Sequence, residues 1–166
     1  EIPLRLVGSE MCIRDSHTMG PKFTLGWMAE ALYSSKNFSE NYTATMMQAG
    51  EFAPTPHSKL MYNEAFRANQ YVAAGIKPIY VLNDMFQFRT EFYGFTPIFP
   101  IKKNALNKAY YGKAFSRFEY MGEVSVICHL PFGAISAYVN HYSSPRREWN
   151  VGMTIGWQLF NYRFVE

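Results

Sequence analysis

The stretch WNVGMTIGWQLF, residues 149–160, alternates almost perfectly between apolar side chains and small or polar ones. The apolar positions are Trp149, Val151, Met153, Ile155, Trp157 and Leu159. The positions between them are Asn150, Gly152, Thr154, Gly156 and Gln158. Because successive side chains of a β-strand point to opposite faces, this two-residue spacing predicts a strand with one continuous apolar face.

The length of this strand and its aromatic ends favour a membrane environment. Strands of soluble proteins usually have about five or six residues, whereas a tilted strand needs about 9–11 residues to cross a bilayer. Trp149 and Trp157 lie toward the two ends of the apolar face, as in the aromatic girdles at the two membrane interfaces. The stretch therefore predicts the last strand of an outer-membrane barrel.

Similar alternation recurs along the rest of the chain. It predicts strands at residues 22–34, 65–76, 84–96, 113–129 and 134–142, and a weaker strand at residues 41–52. Gly75 and Pro78 are expected to end the strand at 65–76. The predicted fold class is all-β: an antiparallel meander that forms a partial transmembrane β-barrel of about seven strands. Because bacterial single-chain barrels have an even number of strands, further strands are expected to precede this chain.

Charged residues occupy the face opposite the aromatic ones. In residues 84–96, Phe86, Phe88 and Phe92 alternate with Gln87, Arg89 and Glu91. The next long strand carries Arg117, Glu119 and Glu123. If this face lines a lumen, these residues are expected to form an Arg–Glu ladder across strands. The alternative is the solvated face of an ordinary sheet, and alternation alone does not separate the two; strand length and terminal aromatics favour the membrane.

Length and composition set further limits. The chain has 166 residues, of which 17% are aromatic, and corresponds to one domain or part of one. Its 16 Lys and Arg against 13 Asp and Glu give a net charge of +3, too mild and scattered to indicate nucleic acid as a partner. No apolar run of about 18 residues occurs, which excludes a transmembrane helix. Cys12 and Cys128 lie too far apart in sequence to indicate a disulfide framework or zinc motif.

The amino-terminal segment stands apart from the rest. Residues 6–16, LVGSEMCIRDS, resemble the translated read-through of a sequencing adapter and have no strand or helix periodicity. We therefore assign residues 1–16 to an adapter-derived artefact, and residues 17–166 to the C-terminal segment of an outer-membrane β-barrel domain. The chain begins at Glu1 without a secretory signal, so we expect it to be a fragment of a longer protein.

Motifs for catalysis or cofactor binding are absent from the sequence. The chain has no Gly-x-Ser-x-Gly elbow, phosphate-binding loop, HExxH helix or GxGxxG turn. Its four histidines, His17, His57, His129 and His141, are not at metal-ligand spacing. His57 and Ser58 are adjacent in the proline-flanked segment 53–59, which predicts a turn rather than a base and nucleophile. We therefore predict no catalytic, cofactor-binding or metal-binding residues.

Four stretches carry a resemblance to a known family. They are FAPTPHSK (residues 52–59), FRANQYVAAGIKP (66–78), LPFGAISAYVNHYS (130–143) and WNVGMTIGWQLFNYRF (149–164). Together they resemble the C-terminal barrel of patatin-like phospholipases of Bacteroidetes-type bacteria. That barrel is similar to the bacterial surface antigen domain of the outer-membrane assembly-factor superfamily.

The resemblance implies an anchor rather than an enzyme. In the family, a separate N-terminal patatin domain hydrolyses phospholipid acyl esters with a Ser–Asp dyad. None of those residues can be assigned here, since neither Asp15 nor Asp84 is followed by glycine. The implied partners are outer-membrane lipid, the N-terminal barrel strands and the patatin domain, without cofactor or nucleic acid. The implied location is the bacterial outer membrane, and a homodimer is left open.

Two alternatives remain at this stage. The chain could belong to the barrel of an outer-membrane assembly or secretion factor, which periplasmic repeats upstream would indicate in place of a Gly-x-Ser-x-Gly elbow. It could also be a soluble β-sandwich or ligand-binding barrel whose aromatic face points inward. A soluble monomer of residues 19–166 without detergent would support that last reading.

Overall fold

The secondary structure is almost entirely β. A computed structural model of the chain describes residues 9–35, 37–39, 41–131, 133–143 and 149–157. In chain order its elements are β1 (Ser9–Thr18), β2 (Phe23–Tyr33), α1 (Tyr42–Gln48), β3 (Gly50–Glu51), β4 (Arg67–Ala68), β5 (Gln70–Val81), β6 (Phe86–Pro97), β7 (Ile101–Lys103), β8 (Ala109–Tyr111), β9 (Glu119–Leu130), β10 (Gly133–Tyr142) and β11 (Trp149–Trp157). Two 3₁₀ turns, Ser58–Leu60 and Glu64–Phe66, lie between β3 and β4.

Within the described residues, the seven long strands form one antiparallel meander sheet in the order β1-β2-β5-β6-β9-β10-β11. The predicted all-β meander of about seven strands is confirmed. β10 sets the register on both sides: Asn140 lies opposite Glu123 of β9 and Asn150 of β11. β1 and β11 are the outer strands and do not pair with each other, so closure into a barrel stays a prediction. The short strands pair separately, β3 with β4 and β7 with β8.

The chain divides into two compact units. In its described residues, unit 1 comprises 9–14, Met28–Gly75 and Tyr93–Tyr120, and unit 2 comprises Asp15–Trp27, Ile76–Phe92 and the residues from Met121 onward. Unit 1 contains both long connections, residues 34–69 between β2 and β5 and residues 98–118 between β6 and β9. Unit 2 contains the short turns at residues 19–22 and 82–85.

In unit 1, the first long connection packs a small aromatic core. The ring of Phe52 lies 6.0 Å from Tyr71 and 5.7 Å from Phe95 between centroids, and Tyr71 lies 4.9 Å from Phe95. All three rings are fully buried, and offset or edge contacts at these distances are favourable. The Tyr71 hydroxyl also donates a hydrogen bond of 2.6 Å to buried Glu30 on β2. The connection is thus fixed to the sheet residues of its own unit.

The predicted strand at residues 41–52 is wrong, because α1 occupies most of it. The Asn41 side chain accepts a hydrogen bond of 2.8 Å from the Ala44 N–H, which satisfies one of the unpaired donors at a helix start. Met46 and Ala49 then pack against Ile101 of β7. Capping and this distant contact override the strand propensity of the tyrosine and threonines in the segment. With seven residues, α1 is the only α-helix among the described residues, and none there is long and apolar enough to cross a membrane.

The strand count agrees because β1 takes the place of the mispredicted strand. β1 lies largely within residues 1–16, which we assigned to an adapter-derived artefact and for which we predicted no strand. Its residues 11–18 are all exposed, so neither face has to be apolar. This explains the missing periodicity; the adapter origin of residues 1–16 stays a prediction, because a paired strand does not bear on where a sequence came from.

Several strand boundaries also differ from the prediction. β5 continues past Gly75 and Pro78 to Val81, whose N–H donates to the carbonyl of Lys22 at 2.8 Å. Pro78 removes one donor without ending the strand. β9 begins only at Glu119, six residues after the predicted start at residue 113. The predicted turn residues 144–148 and strand residues 158–160 lie outside the described residues.

Candidate functional site

The apolar side chains of β11 face away from the protein. Trp149, Val151, Met153 and Ile155 are 68%, 79%, 65% and 60% exposed. The register places Val151 beside Val139 of β10, which in turn lies beside Val124 of β9. Val139 and Val124 are also exposed. The apolar residues of three neighbouring strands therefore form one continuous exposed surface.

The same arrangement is clear on β6, within unit 2. On β6, Phe86, Phe88 and Phe92 are exposed while the alternate residue Glu91 is buried. We call the exposed set the apolar face, and it comprises Trp27, Ile76, Tyr80, Phe86, Phe88, Phe92, Val124, Val126, Val139, Trp149, Val151, Met153 and Ile155. The soluble alternative predicts an inward-packed aromatic face; in unit 2 these aromatic residues are exposed, whereas the aromatic core of unit 1 is buried.

The opposite face of unit 2 carries charged and polar groups, which we call the polar row: Lys77, Arg89, Glu91, Glu123 and Asn140. The side chain of Lys77 is 36% exposed and that of Arg89 is 19% exposed. Both glutamates and the asparagine are only 2–3% exposed. Lys77 Nζ lies 3.2 Å and Arg89 Nε 2.9 Å from Glu91 Oε1. Arg89 Nη2 lies 3.8 Å from Glu123 Oε1, across β6 and β9. The two cations compensate the two carboxylates, as buried carboxylates require.

The predicted Arg–Glu ladder is confirmed for Arg89 with Glu123, which join neighbouring strands. Arg117 and Glu119, two further residues of the predicted ladder, pair with each other along the chain. The Arg117 Nε donates a hydrogen bond of 2.6 Å to Glu119 Oε1 only two residues along the chain. Arg117 precedes β9, which begins at Glu119, so this contact lies within one segment of the chain and does not join two strands.

Lys77 belongs to the polar row but was missed from the sequence. The predicted strand ended at residue 76, so Lys77 fell into an expected turn. In the structure β5 runs on to Val81, and Lys77 alternates correctly with exposed Ile76. The sequence did contain a signal: Lys77 follows Ala73 and Gly75 at two-residue spacing, which places all three on one face of a strand.

His57 and Ser58, the adjacent pair considered as a base and nucleophile, form a turn, as predicted. The Ser58 hydroxyl donates to the Thr55 carbonyl at 2.8 Å and accepts from the Thr55 N–H at 3.0 Å. The Ser58 N–H in turn donates to Thr55 Oγ1 at 3.2 Å. Because the single hydroxyl hydrogen is engaged with a backbone carbonyl and Ser58 is buried, this serine is held in a structural role.

The other histidines lie apart and have separate neighbours. His129 Nε2 lies 3.1 Å from Gln87 Oε1, His17 Nε2 lies 3.2 Å from Asp15, and His141 packs edge-on against Trp149 at 4.6 Å between ring centroids. Across the part of the chain that the structure describes, no group of three or more His, Cys, Asp or Glu side chains could hold a metal ion.

The fold and the two faces define a class of protein: an all-β meander that, in unit 2, exposes a row of apolar side chains and buries the carboxylates of Glu91 and Glu123. Antiparallel sheets of soluble proteins do the reverse, with the apolar face on the core and the polar face in water. Large contiguous apolar surfaces mark contact with another protein or with a membrane. Comparison of the sequence with protein-family models, with curated proteins and with solved structures found no match.

Proposed function

We propose that this chain is a membrane-embedded segment of a bacterial outer-membrane β-barrel that anchors a larger protein. The apolar face would meet lipid, and the polar row would line the barrel interior. The observation that supports this is the reversed burial in unit 2, where Glu91 is 2% exposed and Val151 is 79% exposed. Barrels of this kind alternate apolar side chains toward lipid with polar side chains toward the lumen.

Strand length adds independent support. The seven long strands have 9 to 12 residues each. A tilted strand needs about 9–11 residues to span the hydrocarbon core. In lipid every backbone N–H and C=O must find an internal partner, so further strands or the joining of β1 to β11 would have to close the sheet. A single open sheet of this kind is expected to aggregate in water through its free edges.

For the parent protein we propose a patatin-like lipid hydrolase, with outer-membrane lipid as the partner of this segment. This part rests on the resemblance of the four quoted stretches alone. Hydrolysis would take place in a separate domain, because this chain carries no nucleophile elbow. Sequence upstream of this region in its source genome tests the idea: a Gly-x-Ser-x-Gly elbow is expected, and periplasmic repeats without one would favour an assembly or secretion factor.

The membrane proposal is tested by two neighbouring residues of β11. Met153 and Thr154 are both exposed, so exposure alone predicts the same watery environment for each. They lie on opposite faces of one strand. In a Cys12→Ser, Cys128→Ala background, the full chain would be refolded into detergent micelles as Met153→Cys or Thr154→Cys and labelled with an environment-sensitive fluorophore.

A lipid-facing surface predicts a blue-shifted Met153→Cys label that is quenched by detergent carrying a nitroxide in its alkyl chain. The Thr154→Cys label is expected to be quenched by aqueous iodide instead. Two labels with the same aqueous response, or a chain that stays monomeric and folded without detergent, would refute the proposal. Because the two sites are adjacent, local unfolding would affect both labels alike and would not imitate the predicted contrast.

A further inference from the structure

The positive charge of the chain is concentrated in one segment of unit 1. From Phe92 to Phe118 the sequence has no Asp or Glu, and its basic residues are Lys102, Lys103, Lys108, Lys113 and Arg117. Outside this segment, acidic residues outnumber basic ones. The net charge of +3 therefore comes from this region alone, and we call residues 101–113 the basic hairpin.

The basic hairpin has an anchored side and a free side. β7 pairs with β8 so that Ile101 lies opposite Tyr111 and Lys102 opposite Tyr110. Ile101 is 5% exposed and packs against Met46 and Ala49 at the end of α1. Lys102 and Tyr110, which share the other face, are exposed. The fold thus holds the hairpin by Ile101 and Ala109, while Lys102 on the free face and Lys103 near the turn both stay exposed.

The turn of the hairpin is well defined. The Asn104 N–H donates to the Lys108 carbonyl at 3.0 Å, and the Asn107 N–H donates to the Asn104 carbonyl at 3.1 Å. Asn107 has a φ of 59°, a left-handed conformation that asparagine tolerates better than most residues. The Asn107 carbonyl accepts from the Tyr42 N–H at 2.8 Å, which ties the tip to the start of α1.

Among the described residues, the lysines of the hairpin have no carboxylate partner. In the described part of the chain, no carboxylate lies within ion-pair distance of Lys102, Lys103, Lys108 or Lys113, and all four are exposed. Exposed apolar side chains lie beside them: Leu106, between Lys103 and Lys108, is 77% exposed, and Phe115, two residues after Lys113, is 63% exposed. Lysine interleaved with aromatic and aliphatic residues is the composition of segments at a membrane surface, where the apolar parts sink and the ammonium groups reach the headgroups.

We propose that the basic hairpin binds the phosphate groups of anionic lipids at the membrane surface. This inference rests on the proposed function, because it needs the strands of the chain in a membrane. Long connections of outer-membrane barrels lie on one side of the membrane, and the hairpin belongs to the 98–118 connection. Anionic lipid supplies the missing counter-charge at the depth where Tyr110 and Phe115 would sit. The hairpin therefore selects among lipid headgroups while the apolar face of unit 2 does not.

Lipid binding to the full chain in zwitterionic detergent micelles, measured by native mass spectrometry, tests this. The two probes are phosphatidylglycerol and phosphatidylcholine with identical acyl chains. A lysine near an anionic lipid surface contributes about fivefold in affinity at low salt, so Lys102→Gln with Lys103→Gln is expected to weaken phosphatidylglycerol binding about 25-fold. The matched control is Lys22→Gln with Lys59→Gln, which removes the same charge from exposed lysines outside the hairpin and is expected to keep the preference.

Each outcome decides a separate point. Equal binding of the two lipids by the unaltered chain overturns the hairpin inference and leaves the membrane anchor standing. Binding of neither lipid removes the anchor and the hairpin inference together. Equal loss in both double variants shows a general charge effect and overturns the hairpin as the site. Displacement of phosphatidylglycerol by millimolar inorganic phosphate would mark a site for free phosphate rather than lipid, and would also overturn it.

Discussion

Replacing Val124 by arginine separates a membrane-facing sheet from a water-facing one. Val124 lies near the middle of β9 on the apolar face and is 42% exposed. In water, a charge at such an exposed position changes the free energy of unfolding by about 0.5 kcal/mol or less. On the lipid face of a barrel, arginine at the bilayer midplane costs about 2–4 kcal/mol. The two environments therefore predict effects that differ several-fold for the same substitution.

Leu130, at the end of β9, provides the control for depth. Six residues separate it from Val124, which corresponds to roughly 20 Å along the strand at about 3.4 Å per residue. With a tilt of about 40°, this is roughly 15 Å along the membrane normal, beyond half of the apolar band of about 25 Å. Leu130→Arg is therefore expected to cost about 0–1 kcal/mol, because its guanidinium reaches the interface.

The measurement is urea unfolding of the full chain in detergent micelles, followed by tryptophan fluorescence. Micelles admit more water than a bilayer, so we expect about 2 kcal/mol for Val124→Arg, the lower end of the range. Val124→Leu is expected to stay near the unaltered chain, because it keeps an apolar surface. Equal costs for the two arginine variants, or a negligible cost for Val124→Arg, would show that the face meets water.

Three further predictions follow from single contacts. Arg89→Met is expected to lower the free energy of unfolding by about 3 kcal/mol in the same urea assay, because it removes the guanidinium that lies beside the buried carboxylates of Glu91 and Glu123. The 19% exposure of Arg89 and the remaining ammonium of Lys77 beside Glu91 place the cost at the lower end of the usual range. Gly152→Ala is expected to cost about 1–3 kcal/mol because its methyl group would enter the ring of Tyr138. Gly156→Ala on the same face would make only an ordinary contact, 3.7 Å to the Ala134 carbonyl oxygen, and is expected to be neutral or slightly stabilising. Burial, and secondarily the neighbouring carboxylate of Glu64, raises the pKa of Tyr42. The stabilising contribution of the neutral phenol is therefore complete below about pH 10 and falls as the pH rises further. Tyr42→Phe is expected to reduce this alkaline loss of stability, measured by melting curves.

The sequence predicted the two faces of the sheet because alternation is a local property. Phe86, Phe88 and Phe92 lie on one face and Arg89 and Glu91 on the other, as their spacing requires. The spacing does not decide which face is exposed, because a sheet with its aromatic face outward and a sheet with its aromatic face inward have the same alternation. That information lies in the burial of side chains from neighbouring strands.

The errors have a common physical cause, which is the dominance of distant contacts over local propensity. Residues 42–48 form a helix because Met46 finds Ile101, 55 positions later in the chain. β5 passes Pro78 because its neighbouring strands hold it on both sides. The second error hid Lys77, so a misplaced strand end also removed a member of the polar row. The sequence pattern shows the proline but not the neighbouring strands, whose pairing keeps β5 extended past it.

The polar row indicates more clearly than the apolar face which side of the sheet lies inward. Exposed valines and phenylalanines occur on many soluble proteins and by themselves leave the choice of solvent open. Buried carboxylates are more informative. Removing a carboxylate from water costs several kcal/mol unless a cationic partner compensates its charge. Here Glu91 and Glu123 are more buried than Val124 and Val151. A sheet that buries its carboxylates and exposes its valines gains stability when the exposed side meets hydrocarbon, and the proposed membrane anchor supplies that condition.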